Sequence, residues 1–229
     1  MSIIPPVIAI DGPVGSGKGT ISRILARTLG WHLLDSGALY RLVALKMIQK
    51  KVSLNDSSAV VDIAKTMDIS FSDSKKKQQI YLDSVDITLD LRTEECGNIA
   101  SKIASRPALR VALMKRQREF LRLPGLIADG RDIGSVVFPD ALFKIFLTAS
   151  PEERASRRYN QLKEKGINVS LPDLFQNIVL RDERDISRKV APLKAASDAH
   201  IFDSTGATPE DTANKILDSL KILGIPSEK

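Results

Sequence analysis

The chain has 229 residues, room for one domain with a sizeable core and an inserted lobe, and its 43% hydrophobic and 27% charged residues describe an ordinary soluble globular protein. Its net charge of +6 does not amount to a nucleic-acid surface, because aromatics are only 5% and the bases are spread among acids; a site for a small, multiply charged anion fits better. The start MSIIPPVIAI lacks a basic n-region, no apolar run reaches membrane-spanning length, and a single cysteine, Cys96, precludes an internal disulfide, so a cytoplasmic protein without a membrane or nucleic-acid partner is expected.

In chain order, residues 7–10 predict a short buried strand, and the segment 18–30 has helical periodicity ending at Gly30. WHLLD (31–35) predicts a second strand. It feeds the helix GALYRLVALKMIQKK, with Asp35 or Ser36 as its N-terminal cap. From Asp68 to Arg92 the period changes to two, at Ile69 and Phe71, at Ile80 and Leu82, and at Ile87, Leu89 and Leu91. Three short strands of this kind predict an antiparallel meander, with Lys75-Lys76-Lys77 in a solvated hairpin tip. Apolar strands return at GLIAD (125–129), LFKIFLTA (142–149) and HIFDST (200–205), separated by helical segments. Strands alternating with helices predict an α/β fold, a parallel sheet covered on both faces, with ligands gathered at the strands' carboxyl ends.

The loop GPVGSGKGT (12–20) sits between the first strand and the first helix. Gly12, Pro13, Val14, Gly15, Ser16 and Gly17 would turn several backbone N–H groups toward one point at a helix N-terminus. Lys18 adds a mobile cation for the outer phosphates of a nucleotide. The usual pattern places Ser or Thr directly after the lysine, to hold Mg²⁺. Here Gly19 takes that place and Thr20 follows, which leaves room for a second phosphate while Thr20 can still face the nucleotide or a water on Mg²⁺. GxxxxGKGT in place of GxxxxGK[ST] resembles the nucleoside monophosphate kinases, which move a phosphoryl group from ATP onto a nucleotide.

A monophosphate acceptor is already anionic at neutral pH and needs no base, which suits a chain with two histidines, His32 and His200, both in apolar strand segments. Positioning and charge neutralisation remain, and arginine suits both. Three clusters carry candidates. LLDSGALYR holds Ser36 and Arg41. LIADGRDIG holds Asp129, where a strand-end carboxylate would order Mg²⁺ waters, then Arg131 and Asp132. LRDERDISRKVAPL holds Arg181, Asp185 and Arg188, spaced i, i+4 and i+7 on one helical face.

IDGPVGSGKGT, LLDSGALYR, ADGRDIGSVVFPDA and RDERDISRKVAPL, in this order and spacing, resemble the bacterial cytidylate kinases over nearly the whole chain. The resemblance implies a P-loop NTPase-type core over 1–36, 94–150 and 190–229. It further implies a monophosphate-binding lobe over 37–93 with its β insert at 68–92, and a short lid over 151–170. It implies ATP phosphates on residues 12–20, with Arg157 in the lid over ATP. Lys18, Arg131 and Arg188 would be catalytic, Arg41 would join them at the acceptor phosphate, and Thr20 and Asp129 would serve Mg²⁺ as MgATP, directly or through water. Ser36, Ser101, Arg110 and Asp132 would surround the pyrimidine, and Arg181 and Asp185 would face the pentose. The implied reaction gives CDP or dCDP and ADP, and a monomer is expected.

Chemistry adds a reason for cytosine. A carboxylate at Asp132 accepts from the N4 amino group, whereas uracil would set its O4 lone pairs against that carboxylate. The rivals are a kinase for AMP, UMP or dTMP, a shikimate-type kinase with a hydroxyl acceptor, and a basic nucleic-acid-binding module.

Overall fold

The computed structural model describes residues 4–74, 77–164 and 166–225, with the backbone alone at 71–74 and 77–78. In chain order the elements are β1 (Val7–Asp11), α1 (Lys18–Leu29), β2 (His32–Asp35), α2 (Ser36–Gln49), α3 (Ser57–Thr66), β3 (Ile69–Ser74), β4 (Lys77–Leu82), β5 (Val85–Asp86), α4 (Glu94–Ile103), α5 (Pro107–Arg118), β6 (Leu126–Gly130), β7 (Phe143–Thr148), α6 (Pro151–Lys163), α7 (Leu171–Ile186), β8 (His200–Asp203) and α8 (Pro209–Ile222). Two compact units hold them: Met1–Asp35 with Arg118–Lys229, and Ser36–Gln117.

The first unit is built on five parallel strands in the order β2-β6-β1-β7-β8. All of Val7–Asp11 is buried, as a central parallel strand requires. Ile8, Ile10, Ile127, Ile145 and Leu147 pack against Ile21, Leu25 and Leu29 of α1 and Ile216 and Leu220 of α8. These apolar residues recur at helical spacing along α1 and α8, which is why both helices settle on that face. Gly30 ends α1 in the left-handed conformation, its N–H closing on the carbonyls of Ala26 and Arg27. From β1 the chain visits β2 and β6 on one side and β7 and β8 on the other, so strand order reverses at the carboxyl end of β1. Crevices for ligands form at such switch points.

In the second unit, α2 packs on α3 and α4 beside an antiparallel sheet ordered β3-β4-β5. Its hairpin register runs from Ile69↔Leu82 to Ser74↔Lys77. Lys77 opens β4, and the rest of the expected lysine tip, Lys75 and Lys76, lies outside the described residues.

The third strand of the meander differs from expectation. β5 is Val85–Asp86 alone, and Asp90–Arg92 is a 3₁₀ turn. Ile87 and Leu91 are buried while Leu89 is 74% exposed, so the apolar residues that matter sit four apart, on one side of a helical turn. The Leu91 N–H donates to the Ile87 carbonyl, and Thr88 Oγ1 takes the Ile80 N–H that a longer β5 would have paired.

α7 ends at Ile186, so Arg188 lies beyond the helix, and the three-residue helical face read from spacing stops at Asp185. Among the described residues no helix is long and apolar enough to cross a membrane.

Candidate active site

The first unit places the glycine loop where the strand order reverses. β1 ends at Asp11, Gly12–Gly17 turn, and α1 begins at Lys18. Gly12 has φ 149°, and a Cβ there would stand 2.0 Å from the Leu147 carbonyl oxygen, so only glycine lets the loop leave the sheet beside β7. Gly15 has φ 79° and lies against the Arg154 side chain. Lys18 Nζ donates to the Pro13 carbonyl at 2.7 Å and to Ser16 Oγ at 3.4 Å, which holds the cation inside the loop. Arg157 pairs with Glu153, donates to the Ser204 carbonyl at 2.6 Å, and keeps a guanidinium nitrogen 3.6 Å from where a Cβ on Gly17 would be. The resemblance set Arg157 over ATP; the structure puts it beside the phosphate loop.

Asp11, Asp35, Asp129 and Arg131, at or just beyond the carboxyl ends of β1, β2 and β6, act on the charge of Lys18 at the start of α1. Burial, and then the charge of Arg131, push the Lys18 ammonium down to about 7 against the pull of Asp129, Asp11 and Asp35. Burial, and then Asp35, push Asp129 up to about 7 against Lys18, Arg131 and Arg23. Asp35 and Asp129 are register partners on adjacent strands, so like charges are held side by side. A Cβ on Gly19 would lie 3.5 Å from Asp129 Oδ2, so the helix start runs directly beside that carboxylate. Thr20 Oγ1 accepts from Arg23 at 3.2 Å.

After β6, Arg131 and Asp132 lead into a π-type turn at Ile133–Val137, and Asp132 is 6% exposed. Arg131 Nε donates to Asp185 Oδ2 at 3.3 Å, and Arg188 pairs with Asp185 Oδ1. Asp185 therefore stands between the two arginines, 2% exposed in its side chain. Burial works against its charge, but Arg131, Arg188 and Arg181 prevail and hold its carboxyl below the usual range. The structure thus joins Arg131, Asp185 and Arg188 directly, although Arg188 has left the helix.

The second unit carries Ser36, Arg41, Ser101 and Arg110. Ser36 and Ser101 are buried at the start of α2 and within α4. Arg110 Nη1 donates to Tyr40 Oη at 3.3 Å and to the Ala104 carbonyl at 3.2 Å, which fixes a buried guanidinium between α2 and α5. Arg41 Nη1 donates to the carbonyls of Leu91 and Thr93, at 2.6 and 3.4 Å, and its guanidinium lies against Gly97. The side chain assigned to the acceptor phosphate is thus engaged with its own unit's backbone.

His32 and His200 are structural. His32 Nε2 bonds with the Leu123 carbonyl at 2.9 Å, and the exposed His200 stacks on Phe143.

Sequence reasoning passed over two residues. Arg154 donates to the carbonyls of Ala149 and Val14 and pairs with Asp182 at 2.5 Å, so one buried guanidinium ties the phosphate loop to α7. Asp11 accepts backbone N–H groups of Ile133 and Gly134. The signal for Asp11 was present, since an acid closing an all-apolar strand is costly unless its partners are close. Arg154 stood beside Arg157 and Arg158 in ERASRR with nothing to single it out.

This arrangement gives a glycine loop with a buried lysine, an acid-rich strand end, and two arginines pinned by one aspartate. The family model for cytidylate kinase matches residues 8–222. The chain belongs to the cytidylate kinase family. The cytidylate kinase of Colwellia psychrerythraea is 53% identical, covering 93% of this chain and 94% of its own. That of Nitrosomonas eutropha is 52% identical over 93% of both chains, and that of Aeromonas salmonicida is 51% identical over 95% and 94%. Family membership also favours a phosphate acceptor over the hydroxyl acceptor of a shikimate-type kinase, in keeping with histidines that are both structurally engaged.

Proposed function

We infer that this cytidylate kinase family member transfers the γ-phosphoryl group of ATP to CMP and to dCMP, giving CDP or dCDP and ADP. The observation that carries this reading is the pairing of a buried Lys18 inside the glycine loop with Asp185 holding Arg131 and Arg188 in the same unit. Lys18 stabilises charge developing on the donor phosphates. Arg131 and Arg188 receive the acceptor phosphate and the transferred group, and Asp185 keeps them aimed before substrate arrives. The acceptor phosphate oxygen attacks the γ-phosphorus, the bond to the β-phosphate oxygen breaks, and no protein base is required.

Buried Asp129 beside Asp35 fits a cation, since a positive charge there would offset two acids held together. Among the described residues no three His, Cys, Asp or Glu side chains gather as a full ligand set, so phosphate oxygens and water would complete the shell, with Thr20 beside it. Mg²⁺ carried in with ATP supplies charge neutralisation there.

Asp132 is the base reader in this account, with Ser36, Ser101 and Arg110 as the second unit's pyrimidine residues and Arg181 toward the pentose. A carboxylate suits the N4 amino group of cytosine and repels O4 of uracil. Asp132→Asn should lower the CMP:UMP ratio of kcat/KM by about 10²-fold or more, since mismatched polar groups discriminate strongly. An unchanged ratio in a folded variant would remove Asp132 from base recognition.

A further inference from the structure

Between β6 and the π-type turn the chain is tied down at both ends. At one end, Gly130 is in register with Asp11 in the parallel pairing of β1 and β6. At the other, the Ile133 and Gly134 N–H groups each donate to one oxygen of the Asp11 carboxylate, both at 2.8 Å. The two residues between these anchors are Arg131 and Asp132. Gly134 adds a further constraint, because a Cβ there would lie 3.4 Å from Ala9 Cβ and 3.2 Å from the Lys144 stem, so the turn is pressed onto β1. Asp132 itself is bent, at φ −149° and ψ 28°, and its carbonyl accepts from Val136 and Val137.

We propose that Asp11 is a positioning residue for acceptor selection, its carboxylate gripping the Ile133 and Gly134 amides so that Asp132 and Arg131 present a fixed geometry to the acceptor. The proposal rests on the reading of Asp132 as base reader. Two features carry it beyond ordinary structural support. Asp11 is 4% exposed, and placing a carboxylate there is costly unless both oxygens find donors. A neutral hydroxyl cap would satisfy one amide without that cost, whereas a carboxylate holds two consecutive amides and so fixes orientation as well as distance. Asp11 also directly precedes Gly12, so the residue that opens the phosphate loop is the one that grips the acceptor loop. β1 is held independently by its pairing with β7, where Asp11 is opposite Phe146, so losing the carboxylate should disturb the acceptor loop and spare the donor loop.

The test is Asp11→Asn, whose amide keeps one acceptor but turns an NH₂ toward the second N–H. Steady-state kinetics with CMP and UMP should show the CMP:UMP ratio of kcat/KM falling about tenfold and KM for CMP rising, with KM for ATP within about twofold of wild type. Asp132→Asn is measured alongside. If Asp132→Asn changes the ratio and folded Asp11→Asn does not, the positioning role is overturned while the base-reading role stands. If neither changes it, the base-reading role fails first and takes this proposal with it. Should the Asn variant not fold, Asp11→Ser, smaller and still an acceptor, carries the same two outcomes.

Discussion

Single residues carry the donor side of the site. Lys18 was legible because the glycine spacing, the preceding apolar strand and the following helix all point to it, and its Nζ is found inside the loop, on Pro13 and Ser16. Lys18→Ala should leave the fold intact and lower kcat by about 10²- to 10³-fold, since the proposed role of the residue is to act on charge that grows in the transition state. Circular dichroism and single-turnover kinetics check the two halves of that statement. Gly12 was legible as a loop residue, but its reason was not: the 2.0 Å approach to the Leu147 carbonyl comes from a strand more than a hundred residues away. Gly12→Ala should therefore destabilise by about 3 kcal/mol or more and abolish ATP binding, which thermal unfolding with and without ATP would register. Asp11 was hidden for a related reason. The sequence shows an acid at a strand end, and only the fold brings it two amides 122 and 123 positions away.

At the scale of elements, periodicity found β1, α1, β2, β6, β7 and β8 within a few residues, because each has one strong apolar pattern and a clear stop. It failed at β5, where alternation of Ile87, Leu89 and Leu91 concealed a helical turn that buries the first and the third. It failed again at Arg188, which regular spacing extended onto α7 although the chain leaves the helix at Ser187. The end of α7 is where electrostatics matters most. Asp185 has its carboxyl lowered against burial by Arg131, Arg188 and Arg181, so its stabilisation is present above the ordinary carboxylate range and lost as pH falls through its own, lower value. Asp185→Asn would leave the paired arginines without their buried counter-charge and should cost about 3 kcal/mol at pH 7. Thermal melts across pH should show the gap between wild type and variant narrowing as pH falls below about 4, where the carboxylate of the unfolded chain takes up its proton before the folded one does. A gap independent of pH would mean that packing, not charge, sets the loss.

For the molecule as a whole, the α/β class, the five-stranded parallel sheet and the separate small antiparallel sheet were all legible from alternation and its interruption. The strand order was not, since nothing local says that β6 and β7 flank β1. That order brings residues 11, 35, 129 and 131 within charge reach of Lys18 although they are scattered through the sequence. The donor side thus follows from a contiguous motif. The acceptor side proposed above draws on separated residues, Asp132 and the arginines around Asp185, in a chain that belongs to the cytidylate kinase family. The most direct measurement is a monophosphate panel, with CMP, dCMP, UMP, AMP and dTMP each offered with ATP and Mg²⁺ and compared by kcat/KM. CMP and dCMP should lead UMP by about 10²-fold or more, with AMP and dTMP lower still. Equal use of UMP, or preference for AMP or dTMP, would contradict a site built to read cytosine.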